Sequence, residues 1–223
     1  MGELNRSCAA AYRAFLEDVD RYRLRPRPRL AVILLCQGLW ASAVYRFFFP
    51  LVRARQTWLR RAAHVLSVFA TKFVEVVSGI SLPPEAEIGP GLYIGHFGTT
   101  IVNPRSKIGR NCNIANGVVI GSGGRGESEG QPKEGVPTLG DRVYVGPGAV
   151  LFGPITIGND VAIGANSVVN KSVPDRAIVS GVPGVVVSGK GSFLYVHYRG
   201  MEDDPDRNQS LRERDAFPER VAR

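Results

Sequence analysis

Cysteine is scarce in this chain: Cys8, Cys36 and Cys112 are its three, and they form no C-x-x-C pair. An odd, widely spaced set excludes a disulfide framework and fits a reducing compartment, so the cytoplasm is the expected location. Acidic residues are also the minority, 20 Asp+Glu against 28 Lys+Arg, for a formal charge of +8. The arginines at 21, 23, 25, 27 and 29 come without a Cys/His finger or aromatic-interleaved basic motif, so nucleic acid is not an expected partner. Residues 1–20 lack the basic-then-apolar shape of a secretory leader, and no export is expected. Nor is there an unbroken apolar run. Leu30 to Val52 is interrupted by Gln37, Arg46 and Pro50 and reads as a packed helix. The second reading of that region is a peripheral contact with the inner membrane, its arginine-rich flank at the head groups.

What the chain does have is a period of six. Leu139, Val145, Leu151, Ile157, Ile163 and Val169 follow one another at every sixth position, most with glycine next. Neither a 3.6-residue helix nor two-residue strand alternation gives that spacing, whereas a parallel β-helix of short flat strands and tight turns does. Two residues before each ladder position stand Val143, Ala149, Ile155, Val161 and Ser167, small or β-branched side chains for a triangular interior. The ladder begins at Ile88-Gly89 and Ile94-Gly95 and gains two residues before Ile108, so the coil bulges near His96.

The expected organisation is a helical cap over 1–80, a β-helix of about five coils over 81–187 with an extruded loop at 122–137, and a tail over 188–223. The cap would cover the open end of the first coil. In the tail, Phe193 to Tyr198 reads as a short strand and the remainder as frayed. Gly121 to Gly126 spells G-x-G-x-x-G, but no helix-forming sequence follows, so it is not a dinucleotide site. His64, His96 and His197 fall in cap, coil and tail, which leaves no three-histidine metal site to expect.

The stretch from Glu85 to Pro183 resembles the serine acetyltransferase branch of hexapeptide acyltransferases. The matching runs are 86–91, His96 with Gly98 and Thr99, 120–124, 145–149, 153–158, 163–169 and Val173-Pro174 through Gly181-Val182-Pro183. Upstream, Gln37 to Ala41 and Tyr45-Arg46 look like the helix that leads into that family's solenoid. The resemblance implies a homotrimeric left-handed β-helix that moves acetyl from acetyl-CoA to a hydroxyl between adjacent subunits, without a metal. It implies His96 as general base, since a neutral imidazole accepts a proton near neutral pH. It further implies a cofactor groove along Ser122, Gly146, Gly148, Ala149, Gly164, Ala165 and Ser167, with Lys171 and Lys190 toward the CoA phosphates. Cys112 is instead assigned to packing, because it sits on an interior position.

Two departures bear on the acceptor. The family's aspartate fifteen residues before the histidine is Ser81 here, leaving Ser81, Glu85, Glu87 or a backbone carbonyl to orient His96. The family's Arg-His pair before the loop rejoins the coil is replaced by Gly135-Val136, which removes a charge partner for an amino-acid carboxylate. With Ile101-Val102-Asn103-Pro104 and a longer loop, the chain looks more like the branch that O-acetylates capsular or extracellular polysaccharides, with Asn103 and Arg125 on the acceptor. Serine is the alternative acceptor, and a non-catalytic trimeric scaffold the reading from a different class.

Overall fold

A computed structural model describes residues 7–23, 29–123 and 134–215. Four helices open the chain: α1 (Cys8–Tyr22), α2 (Arg29–Leu35), α3 (Gln37–Leu51) and α4 (Thr57–Ser78). Ser7 caps α1 by accepting from the Ala10 N–H at 3.1 Å. Gly79, at φ 73°, ends α4 in the left-handed conformation that glycine adopts without a Cβ clash. The apolar run expected as one helix is two, because Cys36 is extended (φ −105°, ψ 95°) between α2 and α3. Among the described residues no helix is long and apolar enough to cross a membrane.

The strands then wind three faces into a left-handed β-helix. The first coil holds β1 (Ile80–Ser81), β2 (Glu87–Ile88) and β3 (Tyr93–Ile94); the second holds β4 (Thr100–Val102), β5 (Lys107–Ile108) and β6 (Asn113–Ile114). The third holds β7 (Val119–Gly121), β8 (Thr138–Leu139) and β9 (Tyr144–Val145); the fourth holds β10 (Val150–Phe152), β11 (Thr156–Ile157) and β12 (Ala162–Ile163). A fifth has β13 (Val168–Val169) and β14 (Ile178–Ser180). The first face is the parallel sheet β1-β4-β7-β10-β13, the second β2-β5-β8-β11 and the third β3-β6-β9-β12-β14, which ends on an antiparallel strand, β15 (Val185–Ser188).

Register follows the aliphatic ladder: Ile88 pairs with Ile108, Ile108 with Leu139, and Leu139 with Ile157. The step from Ile88 to Ile108 is two residues longer than the step from Leu139 to Ile157, and the extra length falls in the bend that carries His96. Ile88, Ile94, Ile114, Ile120, Leu151, Ile157 and Ile163 fill the bore and are fully buried. At the corner between the second and third faces every coil needs a left-handed residue, and Asn111, Arg142, Asp160 and Arg176 take it at φ 55–60°. That conformation costs about 1–3 kcal/mol for a non-glycine residue. For Arg142 and Asp160 the cost is offset by a buried two-pronged pair, with Arg142 Nε and Nη2 donating at 2.7 and 3.0 Å to the two Asp160 oxygens.

The first coil has no parallel neighbour below it, and the helices supply the missing partners with side chains. Tyr45 Oη donates to Ala86 O and accepts from Ile88 N; Tyr22 Oη donates to Ile94 O and accepts from Ile94 N. Arg46 donates to the carbonyls of Ile88 and Gly89 at 2.6 Å, and Asp18 Oδ1 accepts from Leu92 N at 2.8 Å. Asp18 and Arg46 are themselves a buried ion pair at 2.9 Å. Left unpaired, each of these backbone groups would cost about 1–3 kcal/mol.

At the other end the structure differs from expectation twice. Phe193 to Tyr198 forms turns rather than a strand, with Phe193, Val196 and Tyr198 buried, Ser192 Oγ donating to Arg142 O at 2.5 Å, and Tyr195 stacked on Tyr144 at 4.6 Å. The tail then forms a helix, α5 (Pro205–Asp215), tied to the coils by Arg176 and Glu213 at 2.7 Å. A six-residue stretch rich in aromatics imitates a strand in sequence, but here it packs Phe193, Val196 and Tyr198 inward instead of joining a sheet.

Candidate active site

His96 lies in the bend between β3 and β4, at the corner where the third face turns into the first, and it is exposed. Both ends of the bend are fixed. Tyr22 on α1 holds Ile94 immediately before it, and the end of α4 holds its exit: Gly98 N donates to Ser78 O and Thr100 N to Gly79 O, both at 2.9 Å. A Cβ on Gly79 would lie 2.8 Å from the Gly98 carbonyl carbon, so the helix end and the bend are in direct backbone contact. Thr100 is buried and its Oγ1 donates to Ala115 O at 3.3 Å. Among the described residues nothing hydrogen-bonds or pairs with the His96 ring. It stands at the surface with both nitrogens open to a substrate.

The same corner recurs above His96 in every coil. Asn116-Gly117 leads from β6 to β7, Gly146-Pro147-Gly148 from β9 to β10, and Gly164-Ala165-Asn166 from β12 to β13. Gly148 N donates to Asn116 O at 3.0 Å and Asn166 N to Pro147 O at 2.8 Å, which ties the turns into one column. Gly146, Gly148, Gly164 and Ala165 therefore share an edge with His96, two and three coils along. Neighbouring coils lie about 4.8 Å apart, which puts those turns about 10–14 Å from the imidazole along the axis.

Two residues expected in this groove are not in it. Ala149 and Ser167 are fully buried and point into the bore, where Ser167 Oγ accepts from Gly181 N at 3.2 Å. Their smallness serves the triangular interior. Gly146 is likewise small because the next coil presses on it: a Cβ would meet Ile163 O at 2.8 Å. Gly148 is at φ +71°, with the Asn166 side chain where its Cβ would go.

A second group sits elsewhere. Asn103, Ser122 and Lys171 follow β4, β7 and β13, at the corner where the first face turns into the second, so a whole face separates them from His96 on the same chain. Asn103 Oδ1 accepts from Arg105 N at 3.0 Å and shapes that turn. Lys190 lies beyond β15, its backbone N–H donating to Ser188 Oγ at 3.2 Å. Arg125 lies outside the described residues. Gly123 and Gly135 pair across the neck of the loop, and Arg105 reaches Glu134 at 2.8 Å beside it.

As an orienting group for His96, Glu85 is excluded. It belongs to the first-to-second corner of its coil and pairs with His64 of α4 at 3.2 Å. Glu87 pairs with Lys107 at 3.5 Å on the second face. Ser81 ends β1 beside Ile101 and makes no hydrogen bond to His96. Cys112 is fully buried, its thiol directed at the carbonyls of Arg110 and Gly140, and burial pushes its pKa up to about 12, which suits packing and not acyl transfer.

Sequence reasoning missed the charged layer beneath the coil. Burial lowers Arg21 to about 10, because its acceptors, Gly91 O and Asn113, are neutral. Burial acts the same way on Arg46, but the charge and hydrogen bonds of Asp18 outweigh it and raise the guanidinium. The motif Tyr45-Arg46 was the available signal, with no pattern to name its partners.

Residues 137–171 match the family described as bacterial transferase hexapeptide (six repeats). The chain is 37% identical to the Helicobacter pylori serine acetyltransferase over 166 residues, 74% of this chain and 90% of that one. It is 39% identical to the Mycobacterium tuberculosis serine acetyltransferase over 131 residues, 58% of this chain, and spans 55% of that relative's length. Soybean serine acetyltransferase complexed with serine superimposes with a TM-score of 0.67 at 28% identity, covering 79% of this chain and 69% of the other. A serine acetyltransferase in complex with CoA gives 0.66 at 27% identity, covering 80% and 70%. These matches lend no support to the polysaccharide branch. The fold, the repeats and these relatives together assign the chain to the serine acetyltransferase family of hexapeptide-repeat acyltransferases.

Proposed function

We propose that this protein transfers the acetyl group of acetyl-CoA to the hydroxyl of serine, with His96 as general base. The neutral imidazole takes the serine hydroxyl proton as that oxygen attacks the thioester carbonyl; the C–S bond breaks, and the imidazolium returns the proton to the departing CoA sulfur. No acyl-enzyme forms. The observation that carries the reading is the unpartnered His96 ring at the foot of the column of corner turns that runs through Gly146, Gly148 and Gly164. The corner holding Asn103, Ser122 and Lys171 completes the site from the next protomer of a homotrimer, because on one chain it faces away from His96. The test is CoA release with serine in wild type and His96→Ala. Saturable serine turnover, reduced about 10²- to 10⁴-fold in the variant, is expected; equal turnover overturns the mechanism.

A second reading, a neutral sugar hydroxyl as acceptor, is favoured by one observation. The neck of the loop carries Gly135-Val136, and Arg105 beside it is paired with Glu134. Polymeric or nucleotide-linked glycans added to the same assay decide between the acceptors: turnover with glycan and none with serine replaces the main reading.

A further inference from the structure

Helix α4 has two apolar faces, and the protein buries the smaller. Ala63, Ser67, Val74 and Ser78 pack inward, while Trp58, Val65, Leu66, Phe69, Phe73 and Val76 form a stripe on the outside. Phe69 is 71% exposed, Phe73 70% and Val76 79%. At 100° per residue these six fall within one sector of the helix uninterrupted by charge, and from Trp58 to Val76 the stripe is about 27 Å long. Single exposed apolar side chains are ordinary, but a continuous bulky stripe marks a contact surface.

The charges around it identify the occupant. Arg55, Arg60 and Arg61 are exposed at the N-terminal end, and Lys72 flanks the stripe further on. The only carboxylate of α4, Glu75, is held by Lys72 at 2.9 Å. No acidic residue stands in the first turn, so Arg60 and Arg61 meet the positive end of the helix dipole with no carboxylate in that turn to offset it. A second copy laid parallel along the stripe would set these cations against their own kind. An anionic lipid surface accepts both the bulky apolar sector and the cations. We propose that α4 lies in the interface of an anionic membrane, its aromatic stripe among the acyl chains and its arginines at the head groups. No described helix is able to span, so the contact is peripheral. The inference is independent of the acceptor.

The test is co-sedimentation of the full chain with vesicles of phosphatidylcholine alone or mixed with phosphatidylglycerol, alongside Trp fluorescence. Expected is binding to the anionic vesicles that falls about tenfold or more in F69S/F73S and weakens with salt. A blue-shifted Trp emission that disappears in W58F, while Trp40 remains, would place Trp58 in the lipid. Circular dichroism keeps the variants interpretable, since these side chains are exposed. Absence of binding to anionic vesicles, or equal binding by F69S/F73S, overturns the proposal. So does a change of oligomeric state in that variant without vesicle binding, which would assign the stripe to a second copy.

Discussion

At the residue scale the chain separates exposed polar groups from groups that burial has silenced. His96 stands unpaired on the surface, whereas Cys112 sits in the bore with its pKa raised to about 12. A thiol held protonated in the fold but released near 9 in the unfolded chain binds more protons when folded between those values. Its stabilising contribution is complete below pH 9 and is lost as pH rises toward 12. Cys112→Ala is therefore expected to flatten the alkaline limb of a denaturation-midpoint curve between pH 9 and 11. Interior positions such as this were legible because inward side chains recur every six residues. Ala149 and Ser167 were legible as interior and misread as groove residues, since smallness satisfies a narrow bore and a ligand channel alike.

At the scale of elements, the informative contacts join helix side chains to the edge of the first coil. Tyr22 grips Ile94 through both its N–H and C=O, and the His96 bend starts at the next residue but one. Tyr22→Phe is expected to cost about 1–3 kcal/mol of unfolding free energy and to lower kcat more than it raises KM, read by denaturation and steady-state kinetics. Arg46→Met leaves Asp18 buried without its partner and is expected to cost about 3–5 kcal/mol, with part recovered when Asp18→Leu is added. None of this was visible in the sequence beyond the family-like Tyr45-Arg46. Pairings between a helix and a strand forty or ninety residues away follow no period. For the same reason Glu85 was a poor choice of partner for His96: closeness along a coil does not reveal which corner a side chain occupies.

Across the whole molecule, the first coil and the flank of the solenoid are covered by different means. Helices seal the first coil with polar side chains, and the C-terminal segment seals the flank through Ser192, Phe193 and α5. Asn113 joins the two systems, accepting from Arg21 of α1 and donating to Tyr195 O at 2.8 Å. Truncation after Ser188 leaves the Arg142 and Asp160 carbonyls without the Ser192 donors and uncovers Tyr144. A lowered melting temperature with the β-sheet signal retained is the expected outcome by circular dichroism.

The reversal of direction at β15 reaches beyond the single chain. A stack of parallel rungs is a natural template for another stack, and a bare top rung would invite an incoming molecule to continue the column. Here β15 folds back on β14 and takes up the edge that a further parallel rung of the third face would use. On that face the chain itself fills the place of the next rung, which disfavours end-to-end growth of a repetitive architecture.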